Sequence, residues 1–384
     1  MSGTVHSDDR VQVGRAGMSD DLVSDYLTTL LTEVVEAGAS DLHLTVGRPP
    51  MVRIDGDLAP LRLSADLATV GAEISVTDAE EILRPLFSDL EWVNFLRELE
   101  RDLAIAVPGV ARFRVNVFQQ RGALGAVFRV IPTRIPSLES LGAPGAVADL
   151  ARLARGLVLV TGPTGSGKST TLAAILDLAN STRKAHIVTI EDPIEFVHSH
   201  KSSVVNQREV GSDTLSFATA LKHALRQDPD IILVGELRDL ETTQVAISAA
   251  ETGHLVLATL HTQGAAATID RLIDIFPSGQ QAQIRTQLSN TLQAVVSQSL
   301  LPTKSGKGRQ LVAEIMLATP AIRSLIREGK TFQIPSAMHS STEQGMTTFD
   351  RELATLVAQD LVEYRVAYDA AHDSSEFARL SGRS

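Results

Sequence analysis

The spacing of apolar positions changes character near residue 132, and that change divides the chain. From Ser24 to Ala37 the apolar residues recur as Leu27, Leu30, Leu31, Val34 and Val35. This is the three-four spacing of an amphipathic helix, and Gly38 follows where a helix end favours glycine. Ala39 to Gly47 alternates as a strand running into a turn. Pro49 to Leu58 reads as two short strands around the hairpin signal Asp55-Gly56. Thr77 to Phe87 predicts a helix, with Thr77 or Asp78 as cap and Glu80 and Glu81 in the first turn. Leu103–Val107, Ala111–Gln119 and Ala123–Ile131 alternate as strands. Residues 22–132 together predict a compact α+β domain.

Residues 133–145, entered from Pro132, are rich in proline and glycine and read as a linker. Beyond them the pattern becomes strand–helix alternation, which predicts a parallel sheet. The strands are Leu157–Thr161, His186–Ile190, Ile231–Val234 and Leu255–Leu260. Leu215 to Arg226 is a helix with Phe217, Leu221 and Leu225 on one face, and Leu240 to Glu251 is another, ended by Gly253. A long helix follows Pro277, with Ile284, Leu288, Leu292, Val295 and Val296 on one stripe. The remainder of this domain (146–365) reads as small helices. Residues 1–20 read as a disordered tail, with Met18 as an alternative start, and 366–384 read as a polar tail.

Composition narrows the partners. The 384 residues are enough for two domains, and 43% hydrophobic content is ordinary for a chain that buries a core. The formal net charge of −11 argues against a nucleic-acid partner gripped over much of the surface. No apolar run approaches a membrane span, and the first residues have no apolar core of a signal peptide. With no cysteine, disulfides and cysteine-ligated metals are excluded, which fits a reducing compartment.

The chemistry centres on Gly162-Pro163-Thr164-Gly165-Ser166-Gly167-Lys168-Ser169-Thr170, which fits the phosphate-loop pattern G-x-x-x-x-G-K-[ST]. The buried-strand run Leu157–Val160 precedes it, and a helix pattern with Leu172, Ile175 and Leu176 follows. Glycines let backbone N–H groups cradle phosphate oxygens, and the helix adds the positive end of its dipole. Lys168 supplies charge for the β- and γ-phosphates, and the Ser169 hydroxyl can ligate Mg²⁺.

Three more strand ends carry polar groups. His186–Ile190 runs into Glu191, Asp192 and Glu195, either a solvated acidic turn or a carboxylate that orients or deprotonates water. Ile231–Val234 ends in Gly235-Glu236, an apolar strand closed by an acid in the Walker B manner, acting on Mg²⁺ or its water shell, or else a capping glutamate. Leu255–Leu260 ends in His261-Thr262, a γ-phosphate sensor or a structural histidine; His254 stands at that strand's start. Arg112, Arg114 and Arg129 lie on the first domain's strands, and Arg112 and Arg114 alternate on one face. They suit phosphate recognition but equally a solvated sheet face.

Taken together, these elements resemble the secretion and type IV pilus ATPases, above all the twitching-motility retraction ATPases. The resemblance spans residues 22–365 and rests on four boxes in order: Gly162–Thr170 (Walker A), Glu191–Glu195 (Asp box), Asp230–Glu236 with Leu237-Arg238-Asp239 (Walker B) and Thr259–Thr262 (His box). Gly38–His43, Arg112–Asn116 and Ala321–Glu328 add to it. It implies an α/β fold: a RecA-like P-loop core with an N-terminal α+β PAS-like domain. It further implies ATP and Mg²⁺ as cofactors and a homo-hexameric ring. Glu195 would be the general base, Glu236 the Walker B acid and metal ligand with Ser169. His261 and His254 would lie near the nucleotide, with Arg112, Arg114 and Arg129 reaching phosphates between domains or subunits.

Such a motor would be cytoplasmic, peripheral to the inner face of the cell membrane, and would act on a membrane-embedded platform protein to withdraw pilins. Assembly and type II secretion ATPases resemble this chain too. They usually carry a four-cysteine zinc module and long N-terminal extensions, which favours retraction here. Gln263 stands where the family more usually has a smaller polar residue, and the segment His339–Gly345 and the tail beyond Tyr364 carry no motif with an assignable role. A regulator with little hydrolysis and a nucleic-acid translocase are the remaining alternatives; the presence of both acids and the acidic charge stand against them.

Overall fold

A computed structural model describes residues 25–54, 56–61, 73–132, 134–306 and 308–382. The expected N-terminal tail, Met18 and Asp55 lie outside these residues. The chain forms two compact units, the second starting at Arg134.

The first unit comprises α1 (Asp25–Glu36), β1 (Asp41–Thr45), β2 (Met51–Ile54), β3 (Asp57–Pro60), α2 (Val76–Leu83), α3 (Asp89–Glu98), β4 (Glu100–Val107), β5 (Ala111–Gln120) and β6 (Ala123–Ile131). Its strands form an antiparallel sheet in the order β3-β2-β1-β6-β5-β4. Strand alternation divides β5 cleanly: Phe113, Val115 and Val117 are buried, and Arg112, Arg114 and Asn116 take the other face. α1 buries Leu27, Leu30, Leu31 and Val34 against this core. The cap of α2 is Ser75, in a capping box with Asp78, so neither Thr77 nor Asp78 is the cap. α3 was not expected, although Trp92, Phe95, Leu96 and Leu99 recur at helical spacing and Ser88 and Glu91 form a capping box; of its residues only Phe95 is buried, against Phe87 and Trp92.

The second unit begins with α4 (Gly145–Leu150), β7 (Gly156–Thr161), α5 (Lys168–Thr182), β8 (His186–Glu191), β9 (Val204–Glu209), α6 (Phe217–Ala224), β10 (Ile231–Val234), α7 (Leu240–Glu251) and β11 (Leu255–Leu260). It continues through α8 (Ala265–Asp274), α9 (Ser278–Thr291), β12 (Leu292–Pro302), β13 (Arg309–Leu317), α10 (Pro320–Arg327) and α11 (Ile334–His339). It closes with α12 (Phe349–Ala358), α13 (Tyr364–Ala370) and α14 (Ser374–Leu380). The sheet order is β13-β12-β7-β11-β10-β8-β9, parallel except for β13. Helices cover both faces, so β7, β10 and β11 are buried throughout and read as unbroken apolar runs.

Three expectations are corrected. The long helix after Pro277 stops at Thr291, and Leu292, Val295 and Val296 belong to β12, parallel beside β7. Their spacing fits a helical stripe by coincidence; β12 lies between two strands and both its faces are covered, so no alternation marks it. The region expected as small helices contains β13, paired antiparallel with β12 over Ala294–Pro302. The expected polar tail folds: Phe377 of α14 is fully buried near Tyr364 and Tyr368. Asp350 accepts the N–H groups of His372 and Asp373 at 2.8 and 2.9 Å, which fastens that segment down. Within the expected linker, Leu138 packs into the second unit's core.

Glu314 of β13 is 9% exposed, and it accepts the N–H of Ala265 (2.7 Å) and of Phe349 (3.3 Å). One buried carboxylate thus closes the N-termini of α8 and α12.

Candidate active site

Parallel strands present all their C-terminal ends at one edge. That edge gathers the loop after β7, Glu191 to Glu195 after β8, Glu236 after β10 and His261 after β11. They line a cleft of about 440 Å³ together with Thr164, Gly165, Gly167, Ser169 and Thr170.

The loop before α5 is shaped by glycine. At Gly162 (φ 140°) a Cβ would lie 2.2 Å from the Gln298 carbonyl oxygen and 2.7 Å from Ser166 Oγ. Gly167 takes φ 84° to start α5. Gln298 of β12 donates Nε2–H to the Ser166 carbonyl at 2.7 Å, buttressing the loop from below. Ser166 is buried and its Oγ has no hydrogen-bond partner.

Lys168 Nζ donates to the carbonyls of Gly162 and Pro163, each at 3.0 Å, and stands 3.4 Å from His261 Nδ1. Burial pulls its pKa down, against the charges of Glu236 and Glu195, which raise it. His261 Nε2 lies 3.2 Å from Glu236 Oε1, and Glu236 Oε2 accepts from Arg238 Nε at 2.8 Å. These contacts suit an imidazole protonated on Nε2, donating to Glu236 and accepting from the ammonium through Nδ1.

Glu195 is exposed at the cleft, whereas Glu191, also on its wall, is half-buried. Burial pushes the Glu191 carboxyl up, opposed by hydrogen bonds from Thr189 Oγ1 (2.6 Å), Gln207 Nε2 (3.0 Å) and the Glu195 N–H.

These residues fit a triphosphate with Mg²⁺. The loop offers a glycine-lined cradle that a Cβ would fill, an unpartnered buried hydroxyl and a lysine facing the strand-end acids. Among the described residues no cluster of three or more His, Asp or Glu could chelate a metal alone. Ser169 and Glu236 both line the cleft, and their oxygens are of the kind that would hold Mg²⁺ beside phosphate and water.

Not all expected site residues meet here. His254 stands at the opposite end of β11, about 20 Å away along a six-residue strand. Its Nδ1 lies 2.9 Å from the Ala249 carbonyl and its own carbonyl accepts from Gly156 N–H, so it serves the α7–β11 turn. The expectation that it lies near the nucleotide is corrected. Arg112, Arg114 and Arg129 belong to the first unit; Arg114 and Arg129 are cross-strand partners, and Arg129 donates to Asp41 at 2.8 Å. Sequence reasoning missed Gln298, Gln207 and the cleft-lining Arg309, all on strands it did not detect.

The family described as Type II/IV secretion system protein matches residues 101–363. The chain is 50% identical over 351 residues to the "Type IV pilus retractation ATPase PilT" of Pseudomonas aeruginosa, covering 91% of this chain and 99% of that relative. It is 46% identical to the "Twitching motility protein" of Neisseria gonorrhoeae, covering 92% of each. Among solved structures, the pilus retraction motor PilT with bound ADP matches with a TM-score of 0.85 at 46% identity, over 92% of this chain and 99% of that one. The ATPase DotB of Legionella pneumophila matches with a TM-score of 0.73 at 29% identity, over 88% and 94%. A likeness that runs nearly end to end through its relatives, on a cleft built for nucleotide, places this protein in the type II/IV secretion ATPase superfamily, in the family of type IV pilus retraction ATPases.

Proposed function

We propose that the chain is a Mg²⁺-dependent, homo-hexameric ATP motor whose stroke withdraws pilins from a type IV pilus. The carrying observation is the 50% identity over 99% of a relative named for pilus retraction. The assembled cleft agrees with it.

The chemistry is mostly positioning and charge. Loop N–H groups receive the phosphates. Lys168 exchanges its two neutral carbonyl partners for β- and γ-phosphate oxygens, a stronger charge-assisted set. Ser169 and Glu236 would hold Mg²⁺, which neutralises charge on the β- and γ-oxygens. Glu195, exposed in the cleft, takes the proton of the attacking water. His261 lies between Lys168 and Glu236, where a change at the γ-phosphate reaches the end of β11. Arg112, Arg114 and Arg129 supply phosphate contacts within or between subunits. The ring works at the cytoplasmic face of the inner membrane on an integral platform protein. Among the described residues no helix is long and apolar enough to cross a membrane.

The test is expression of this chain in a piliated strain deleted for its own retraction ATPase, with labelled pili watched by fluorescence. Restored retraction is expected. Restored extension without retraction would transfer the chain to pilus assembly.

A further inference from the structure

β9 is an edge strand with Gln207 and Glu209 on the same face, two residues apart. Its parallel register sets Gln207 beside Thr189 and Glu209 beside Glu191. The loop that leaves β8 and carries Glu195 is held at four points by this neighbourhood, at Ile194, Glu195, Phe196 and His198. Ile194 N–H donates to Glu209 Oε2 at 3.1 Å. Glu195 N–H donates to the Glu191 carboxylate. Gln207 Nε2 donates to the Phe196 carbonyl at 2.9 Å and to Glu191 Oε1 at 3.0 Å. Gln207 Oε1 accepts from His198 N–H at 2.7 Å.

One side-chain amide therefore spends both donors and its acceptor on the segment that flanks Glu195. Ile194 and His198 are buried on either side, at 3% and 8% exposure, while Glu195 itself is exposed. The carboxylate stands on the crest of a strap whose feet are fixed. An exposed carboxylate on an unheld loop would sample many positions, and misplacement by about 1 Å can cost on the order of a hundredfold in rate. Gln207 is not among the residues lining the cleft, so its influence passes through the loop.

We propose that Gln207 is a positioning residue for hydrolysis, clamping the Glu191–His198 strap so that the Glu195 carboxylate is held toward the attacking water. The proposal rests on the reading of Glu195 as general base.

The experiment is a double-mutant cycle on the full-length protein, with Gln207→Ala, Glu195→Ala and the pair. kcat is measured by phosphate release and nucleotide Kd by a fluorescent ATP analogue. Gln207→Ala is expected to lower kcat by about tenfold to a hundredfold with Kd within about twofold of wild type. The pair is expected to be no slower than Glu195→Ala alone, since the clamp acts through that residue. Arg208→Ala, on the other face of β9, is expected to leave kcat unchanged.

Wild-type turnover in Glu195→Ala would remove the base assignment itself. Loss in Glu195→Ala with full turnover in Gln207→Ala would overturn the clamp and spare the base. Additive losses would make Gln207 merely structural. The isosteric Gln207→Met guards against collapse of the alanine variant. In the unmodified protein, amide exchange at Glu195 and His198 is expected to be slow; fast exchange at both would overturn the clamp without any variant.

Discussion

Lys168 Nζ lies 3.4 Å from His261 Nδ1, and the same imidazole reaches Glu236 through Nε2 at 3.2 Å. Residues 68 positions apart in sequence are thus joined by a third from a separate strand. The phosphate-binding cation, the metal-side acid and the histidine form one connected unit, on which a change at any member is felt by the others.

Lys168→Ala is expected to remove ATP turnover by at least about a hundredfold, since its charge has no substitute within the loop. Folding should survive, because burial disfavours this ammonium and its removal relieves that cost. Phosphate release and circular dichroism check the two halves. An unfolded chain would mean that Lys168 holds the structure together rather than the nucleotide.

Glu195→Ala should bind ATP with near wild-type affinity and lose about 10² to 10⁴ in turnover, the range for a removed general base. Equilibrium binding and single-turnover hydrolysis separate the two effects. Weakened binding with unchanged kcat would give Glu195 a binding role instead.

His254→Ala is expected to keep kcat within about twofold of wild type. It should lower stability by about 1 kcal/mol, the worth of a hydrogen bond such as that to Ala249. Steady-state kinetics and urea unfolding decide it. A large fall in kcat without loss of stability would return His254 to the nucleotide site.

His198 gives a pH prediction. Burial, opposed in part by the Asp177 charge, lowers its pKa from 6.5 to about 4. Between those values the unfolded chain binds a proton that the folded chain does not. Stability present above pH 6.5 should therefore fall as pH drops toward 4, by up to about 1.4 kcal/mol per pH unit, and level off below. His198→Gln should remove that component. Urea unfolding of both proteins at pH 7 and pH 5 tests it; equal losses in the two would exclude a buried neutral imidazole.

Much of the candidate site was legible because its signals are local. The phosphate loop is one contiguous run, and the acids follow apolar strands directly. A parallel strand has a single C-terminal end, so Glu236 and His261 had to emerge at the same edge as the loop. The same rule could have set His254 aside, as it stands at the strand's other end. The antiparallel domain was readable where one face is solvated, as on β5; α3 was legible too, in the Ser88–Glu91 capping box and the spacing of Trp92, Phe95, Leu96 and Leu99, though the expected elements do not include it.

By itself, then, the sequence determined the nucleotide loop, the central apolar strands and the acids that follow them, since each depends on neighbours along the chain. Only the tertiary structure decided that Leu292–Pro302 and Arg309–Leu317 extend the sheet and that Gln298 supports the loop from the adjacent strand. It also decided that Gln207 grips the strap carrying Glu195. The reason is physical. Pairing at the ends of a sheet, and the partners that side chains find there, are set by which distant segments pack alongside, and no periodicity within a single segment encodes that choice.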